Sequence, residues 1–280
     1  MTDARSVSGT SFSGSVLNGA AGLWLAVALI GQWAFAAYIA GFYGPAMASG
    51  NYEAWAVLSK LGGTGYVPGD DAGNRFFGAH ALAAGIVALG GGLQLMPFVR
   101  NRWPTFHRWN GRVFLTIVTA LSLTGFWLVW VRGAAPSELN GWSTSFNGVL
   151  ILAFAGLALR AALMKRFDVH ERWATRLYLV SNAQWFLRVG LFGYFVLNMA
   201  AGNKPSMNDP FLVGWTFGCY LVPLAVAELY LRARDRGGAW ARFATALIIV
   251  AMTLFMAAGV FAFGMFSMRI LSGAPLSLPG

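Results

Sequence analysis

At 280 residues, with 57% hydrophobic and 11% charged residues and a mean hydropathy of +0.58, the chain is far too apolar for a soluble domain. Its apolar runs of about 20 residues are continuous, which fits helices crossing about 30 Å of hydrocarbon and excludes a β-barrel, whose strands alternate. The formal charge of +10 has no soluble basic module to carry it, so it points to membrane topology and anionic lipid rather than to nucleic acid.

Residues 1–20 are rich in Ser and Gly with one basic residue, Arg5, and read as a flexible cytoplasmic tail. The remainder, 21–280, reads as a single transmembrane domain. Its first span covers about residues 21–43 and is too long for a signal peptide. A loop with Pro45, Pro68, Glu53, Asp70 and Asp71 follows, in which 52–61 suits an interfacial helix with Trp55 at headgroup level. Six more spans are expected at 75–98, 111–131, 146–164, 173–199, 210–231 and 240–266. The fold class is therefore all-α: a polytopic bundle of seven transmembrane helices with its core within 75–199.

Orientation follows from the loops. Arg100, Arg102, Arg108 and Arg112 cluster at one; Arg160, Lys165, Arg166, Arg172 and Arg176 at a second; Arg232, Arg234, Arg236 and Arg242 at a third. With seven spans these all fall on one side, opposite Glu53, Asp70, Asp71, Glu138 and Asp209. That places the N-terminus in the cytoplasm and the C-terminus outside. Glu228 is expected to pair with Arg232 at i+4. The single cysteine, Cys219, lies in an apolar run and reads as a buried small residue.

Two segments match one another. Arg108 to Phe114, RWNGRVF, aligns with Arg172 to Tyr178, RWATRLY, sharing Arg, Trp, Arg, an aliphatic and an aromatic residue. Spans two and three would then correspond to spans four and five as a parallel two-hairpin repeat.

The residues from Phe76 to Arg188 resemble a bacterial family of predicted membrane proteins with a domain of unknown function. The shared features are His80 early in a span, Gly91 to Gln94 as Gly-x-x-Gln, and His107 to Arg112 as His-Arg-x-x-Gly-Arg. His170 to Arg176 as His-x-x-Trp-x-x-Arg and Arg188 deep in the last of these spans complete the set. Ala174 departs from the Met usual in the family. The resemblance implies a multi-pass protein of the bacterial inner (plasma) membrane and brings no activity with it.

Intramembrane polar residues are costly and seldom idle. Arg188 stands about 15 residues into its span, roughly 22 Å from the cytoplasmic start, and shares i, i+3, i+7 spacing with Ser181 and Gln184. This stripe is expected to face the bundle interior, matched by one of Arg112, Thr116, Thr119 and Ser122. His107 and His170 each begin a helix at the cytoplasmic surface. With their Arg neighbours they suit lipid phosphates and helix-end carbonyls; as neutral imidazoles they could instead ligate a metal, serve as axial ligands of haem b, or bind a quinone or other polar ligand, whereas His80 lies at the outer end. The Gly90 to Gly92 triplet suits close helix packing.

Three functions compete; the third, an intramembrane hydrolase using a His-bound metal, ranks last because its ligands do not converge. In the first, the core binds a cofactor or small polar ligand as a haem- or quinone-linked electron-transfer component, using His107, His170, His80 and Arg188 with Gln94, Gln184, Arg112 and Arg176. In the second, the protein is a non-enzymatic transporter or accessory subunit of a membrane complex, binding an anionic solute or lipid through Arg188 and the basic inner loops. No nucleophile elbow, phosphate-binding loop or paired intramembrane carboxylates occur in the sequence.

Overall fold

The structure, a computed structural model, describes residues 11–59 and 65–273, and every regular element among them is helical. The helices are α1 (Phe12–Ser49), α2 (Ala56–Ser59), α3 (Asp71–Leu95), α4 (Pro97–Arg102), α5 (Pro104–Trp130), α6 (Glu138–Leu163), α7 (Phe167–Ser181), α8 (Ala183–Ala200), α9 (Pro210–Arg236) and α10 (Ala239–Leu271). A 3₁₀ turn, Tyr52–Trp55, precedes α2.

Local chemistry sets the boundaries. Side-chain oxygens of Ser11, Asp70 and Ser137 accept backbone N–H groups at the starts of α1, α3 and α6. Pro97, Pro104 and Pro210 occupy first turns, where a missing N–H costs nothing. Gly50 stops α1 in the left-handed region at φ 76°. With its cap at Ser11, α1 incorporates residues 12–20, which were expected to be tail, and its 38 residues span about 57 Å, well beyond the hydrocarbon thickness. Residues 1–10 lie outside the described residues. Likewise α5 begins at Pro104, seven residues before the expected span.

Among the described residues six helices, α1, α3, α5, α6, α9 and α10, are long and apolar enough to cross a membrane. This is a multi-pass membrane protein whose outer faces contact the bilayer. The expected span at 173–199 is two helices, α7 and α8, interrupted at Asn182. Side-chain amides take over the backbone bonding there: Asn182 Nδ2 donates to the Tyr178 carbonyl at 2.8 Å and Asn147 Nδ2 to the Val180 carbonyl at 3.1 Å.

Despite the interruption, α7 and α8 together follow the whole length of α9. Arg172 meets Asp235, Arg176 meets Glu228, Trp215 Nε1 donates to the Phe186 carbonyl, and the Tyr194 hydroxyl donates to Asp209. The helices α1 and α10 pack in parallel: Phe12 lies on Phe243, Phe35 on Phe263, and Gly41 against Leu271. Small residues permit these close approaches. A Cβ on Gly259 of α10 would strike the Val189 carbonyl of α8, and one on Gly190 would strike the Trp215 ring.

The bundle has a basic end and a far end. Arg100 and Arg234 both reach Glu171, and Arg234 also holds Asp235, so the basic loops are tied together by ion pairs. At the far end Arg132 bonds Asp70, Asn74 and the Gly65 carbonyl at 3.0, 2.7 and 3.1 Å. Trp55 is buried against Tyr43, Tyr52 and Gly78, its ring filling the space left by that glycine. Of the segment 52–61 assigned to an interfacial helix, residues 60 and 61 lie outside the described residues.

Candidate functional site

The matched segments share their local geometry. Arg112 lies over the Trp109 ring at 4.8 Å and Arg176 over the Trp173 ring at 4.7 Å, an i, i+3 cation–π pair in each helix. The aromatic residues that close the two segments, Phe114 and Tyr178, converge on Gly91, where a Cβ would lie 2.9 and 3.3 Å from their rings. Beyond these positions the segments diverge, because α5 continues unbroken to Trp130 while α7 stops at Ser181.

The triplet Gly90 to Gly92 is a crossing point. Asn110 Nδ2 donates to the Gly90 carbonyl at 2.9 Å, and Leu29 of α1 occupies the space a Gly92 side chain would need. One turn on, Gln94 Nε2 donates to the His107 carbonyl at 3.2 Å. Gln94 is thereby a clamp between α3 and α5.

Of the three histidines, His107 and His170 sit at the basic end within electrostatic reach of each other. His170 Nδ1 contacts the Ala158 carbonyl at 2.9 Å, which makes Nδ1 the protonated nitrogen and leaves Nε2 free. His107 Nδ1 is buried with no partner among the described residues. His80 lies toward the far end with Nδ1 3.1 Å from Thr124 Oγ1. Among the described residues no group of three or more His, Cys, Asp or Glu is placed to hold a metal ion.

Two expectations about charged residues are corrected. Glu228 pairs with Arg176 at 2.7 Å between α7 and α9, not with Arg232, which is exposed. Arg112 and Thr116 are exposed, so the expected stripe on α5 does not face the interior; only Ser122 of that set is buried, bonded to the Val118 carbonyl. Basic residues at a helix start reach the interface, where both water and lipid phosphate are available.

The polar centre of the bundle lies elsewhere, at the interruption of α7 and α8. Gln32 of α1 is fully buried and accepts the Tyr178 hydroxyl at 3.0 Å. Its Nε2, Trp185 Nε1, Ser181 Oγ and Asn147 Oδ1 are buried without hydrogen-bond partners among the described residues. Gln32, Asn147 and Asn182 were not expected as site residues. A lone amide in an apolar run carries no periodic signal, although its cost in hydrocarbon is itself a signal.

Just beyond the interruption stands Arg188. Its guanidinium lies 5.1 Å from the Phe35 ring centre and donates to the carbonyl and Oε1 of Gln184 at 2.7 and 3.3 Å. It lies within electrostatic reach of Tyr38 and Tyr43 on α1. Unlike Arg100, Arg132, Arg172, Arg176 and Arg234, it has no carboxylate within ion-pair distance among the described residues. Arg188 is half-buried, and Gln184, expected to face inward, is exposed.

Comparison with known proteins yields one family. Neither the curated proteins nor the solved structures contain a match to this chain. The model of a family described as predicted membrane protein (DUF2306) matches residues 77–231, a stretch that includes all three histidines, the glycine triplet, the interruption and Arg188. That match covers more than half of the chain, which belongs to this family of membrane proteins of unknown function.

Proposed function

We propose that the protein is a seven-span membrane protein that binds a small anionic group in the outer half of its helical core through Arg188. The observation that carries this reading is an intramembrane guanidinium stacked on Phe35 with no carboxylate partner among the described residues. A charge in hydrocarbon is retained where something compensates it, and an arginine without an acidic neighbour is a fork for an oxyanion. This favours the transporter or accessory-subunit reading.

The seventh span is the pair α7 and α8. Their contacts follow α9 from end to end, and the parallel packing of α1 with α10 requires an odd number of crossings. Broken helices of this kind occur in membranes where the freed backbone is buried or lines a site. With that crossing, the excess of Arg and Lys in one set of loops supports a cytoplasmic N-terminus and an outer C-terminus in a bacterial inner membrane, with anionic lipid at the basic face.

The test is the thermal midpoint of the detergent-purified protein titrated with inorganic phosphate and with hexanoate. Stabilisation in the wild type that Arg188→Gln abolishes supports the reading. Equal behaviour of the two proteins defeats it.

A second reading, electron transfer through a haem at His107 and His170, draws on one observation: His170 is held by its Nδ1 so that Nε2 is free for a ligand bond. A reduced-minus-oxidised visible spectrum of protein purified from its native host decides it, since a flat spectrum ends the haem version.

A further inference from the structure

Tyr178, Ser181, Trp185 and Arg188 are spaced so that they share one side of the interrupted span, and contacts show that this side faces α1. The Tyr178 hydroxyl reaches Gln32, the Trp185 ring would lie 2.7 Å from a Cβ at Gly31, and Arg188 covers Phe35. The glycine at 31 is what allows the indole to sit against α1. Gln32 follows directly, so its free amide nitrogen and the free indole nitrogen of Trp185 lie on the same stretch of α1, with the Ser181 hydroxyl on the same side of the opposing helix.

These three groups are hydrogen-bond donors buried without acceptors among the described residues, and a fourth donor, the Arg188 guanidinium, lies about one turn beyond Trp185. These donors outnumber the one unpartnered acceptor at the break, Asn147 Oδ1, and a ligand that supplies oxygen atoms matches the surplus. The charge on that ligand belongs at Arg188. The deeper donors are neutral and have no cation beside them, so a second buried charge there would be uncompensated, whereas a carbonyl or hydroxyl oxygen would not.

We infer that the ligand is an oxyanion carrying a neutral oxygen acceptor about one helical turn, roughly 5 Å, deeper in the bilayer. The inference rests on the anion reading of Arg188. Trp185, Gln32 and Ser181 hold the neutral oxygen. The same chemistry occurs in a short oxo-acid and in an anionic phospholipid, whose phosphate lies outward of its ester carbonyls.

Matched pairs differing by the neutral oxygen alone test it on the full chain. In detergent, 5-oxohexanoate is compared with hexanoate by titration of the thermal midpoint. In nanodiscs of phosphatidylcholine, ester-linked phosphatidylglycerol is compared with its ether-linked analogue by the amount retained on the extracted protein. A preference of tenfold or more for the carbonyl-bearing member is expected in one arm, and that arm identifies the source. Trp185→Phe should lose the preference while keeping hexanoate or ether-lipid binding. Ser181→Ala, the smaller change, carries the test if Trp185→Phe fails to fold. Absence of preference in both arms, with binding still weakened by Arg188→Gln, overturns this inference and leaves the anion site standing. Binding indifferent to Arg188→Gln removes both.

Discussion

Arg176 donates to Glu228 across 2.7 Å, fastening α7 to α9 with an ion pair whose members belong to different helices. The guanidinium is 18% exposed and the carboxylate 37%, so desolvation is partial and the attraction is not fully screened. Glu228→Ala should lower stability by about 1–2 kcal/mol, and the double variant with Arg176→Ala by no more than either change alone. Arg232→Ala should change it by less than about 0.5 kcal/mol. Unfolding midpoints in detergent distinguish the two partners.

At the far end Asp70 accepts the Gly73 N–H and the Arg132 guanidinium, and these bonds hold its carboxyl below the usual carboxylate range. A depressed folded-state value adds stability above the unfolded value of about 3.9 and loses it as pH falls through the folded one. The midpoint difference between wild type and Asp70→Asn should therefore be flat from neutral pH to about pH 5 and shrink at lower pH. A difference that grows on acidification would contradict this pairing.

Two glycines of α10 should behave oppositely. In Gly259→Ala the new Cβ meets the backbone carbonyl of Val189, which cannot turn aside, and a cost of about 3 kcal/mol or more is expected. Gly264 has open space around it, so Gly264→Ala should be neutral or stabilising by up to about 1 kcal/mol through the helix propensity of Ala. Thermal midpoints of the two variants, measured side by side, check this.

Accessibility tests the proposed crossing by α7 and α8. In a Cys219→Ala background, Arg166→Cys and Asn203→Cys place single thiols at the exposed ends of this segment. A membrane-impermeant maleimide applied to sealed cells should label Asn203→Cys and not Arg166→Cys. Labelling both, or neither, would mean that α7 and α8 re-enter without crossing.

The long apolar helices were legible in the sequence because hydropathy and length alone define them, and so was the family, through His80, Gln94, His107, His170 and Arg188. The interruption at Asn182 was not legible. The run from 173 to 199 stays apolar through it, and the amide that stabilises it, Asn147, comes from another helix. The partner of Glu228 was missed for the same reason, since i+4 spacing offers Arg232 while the tertiary fold brings Arg176 closer. The stripe at Ser181, Gln184 and Arg188 was drawn on a continuous helix. In the structure Gln184 is exposed, and the residues of α8 that meet α1 are Trp185 and Arg188.

The seam between α1 and α10 joins residues as far apart as Ser11 and Arg242, 231 positions along the chain. During synthesis α1 is among the first helices to leave the ribosome and α10 among the last, so the longest flank of α1 waits, lipid-exposed, until the intervening helices have been inserted. Closing this seam is therefore the most non-local step of assembly, and its loop-closure entropy is offset only when glycine-lined faces such as Gly31 and Gly259 finally meet their neighbours. A nascent chain stalled before α10 thus exposes both the flank of α1 and the face of α8 at Val189 and Gly193 that α10 covers.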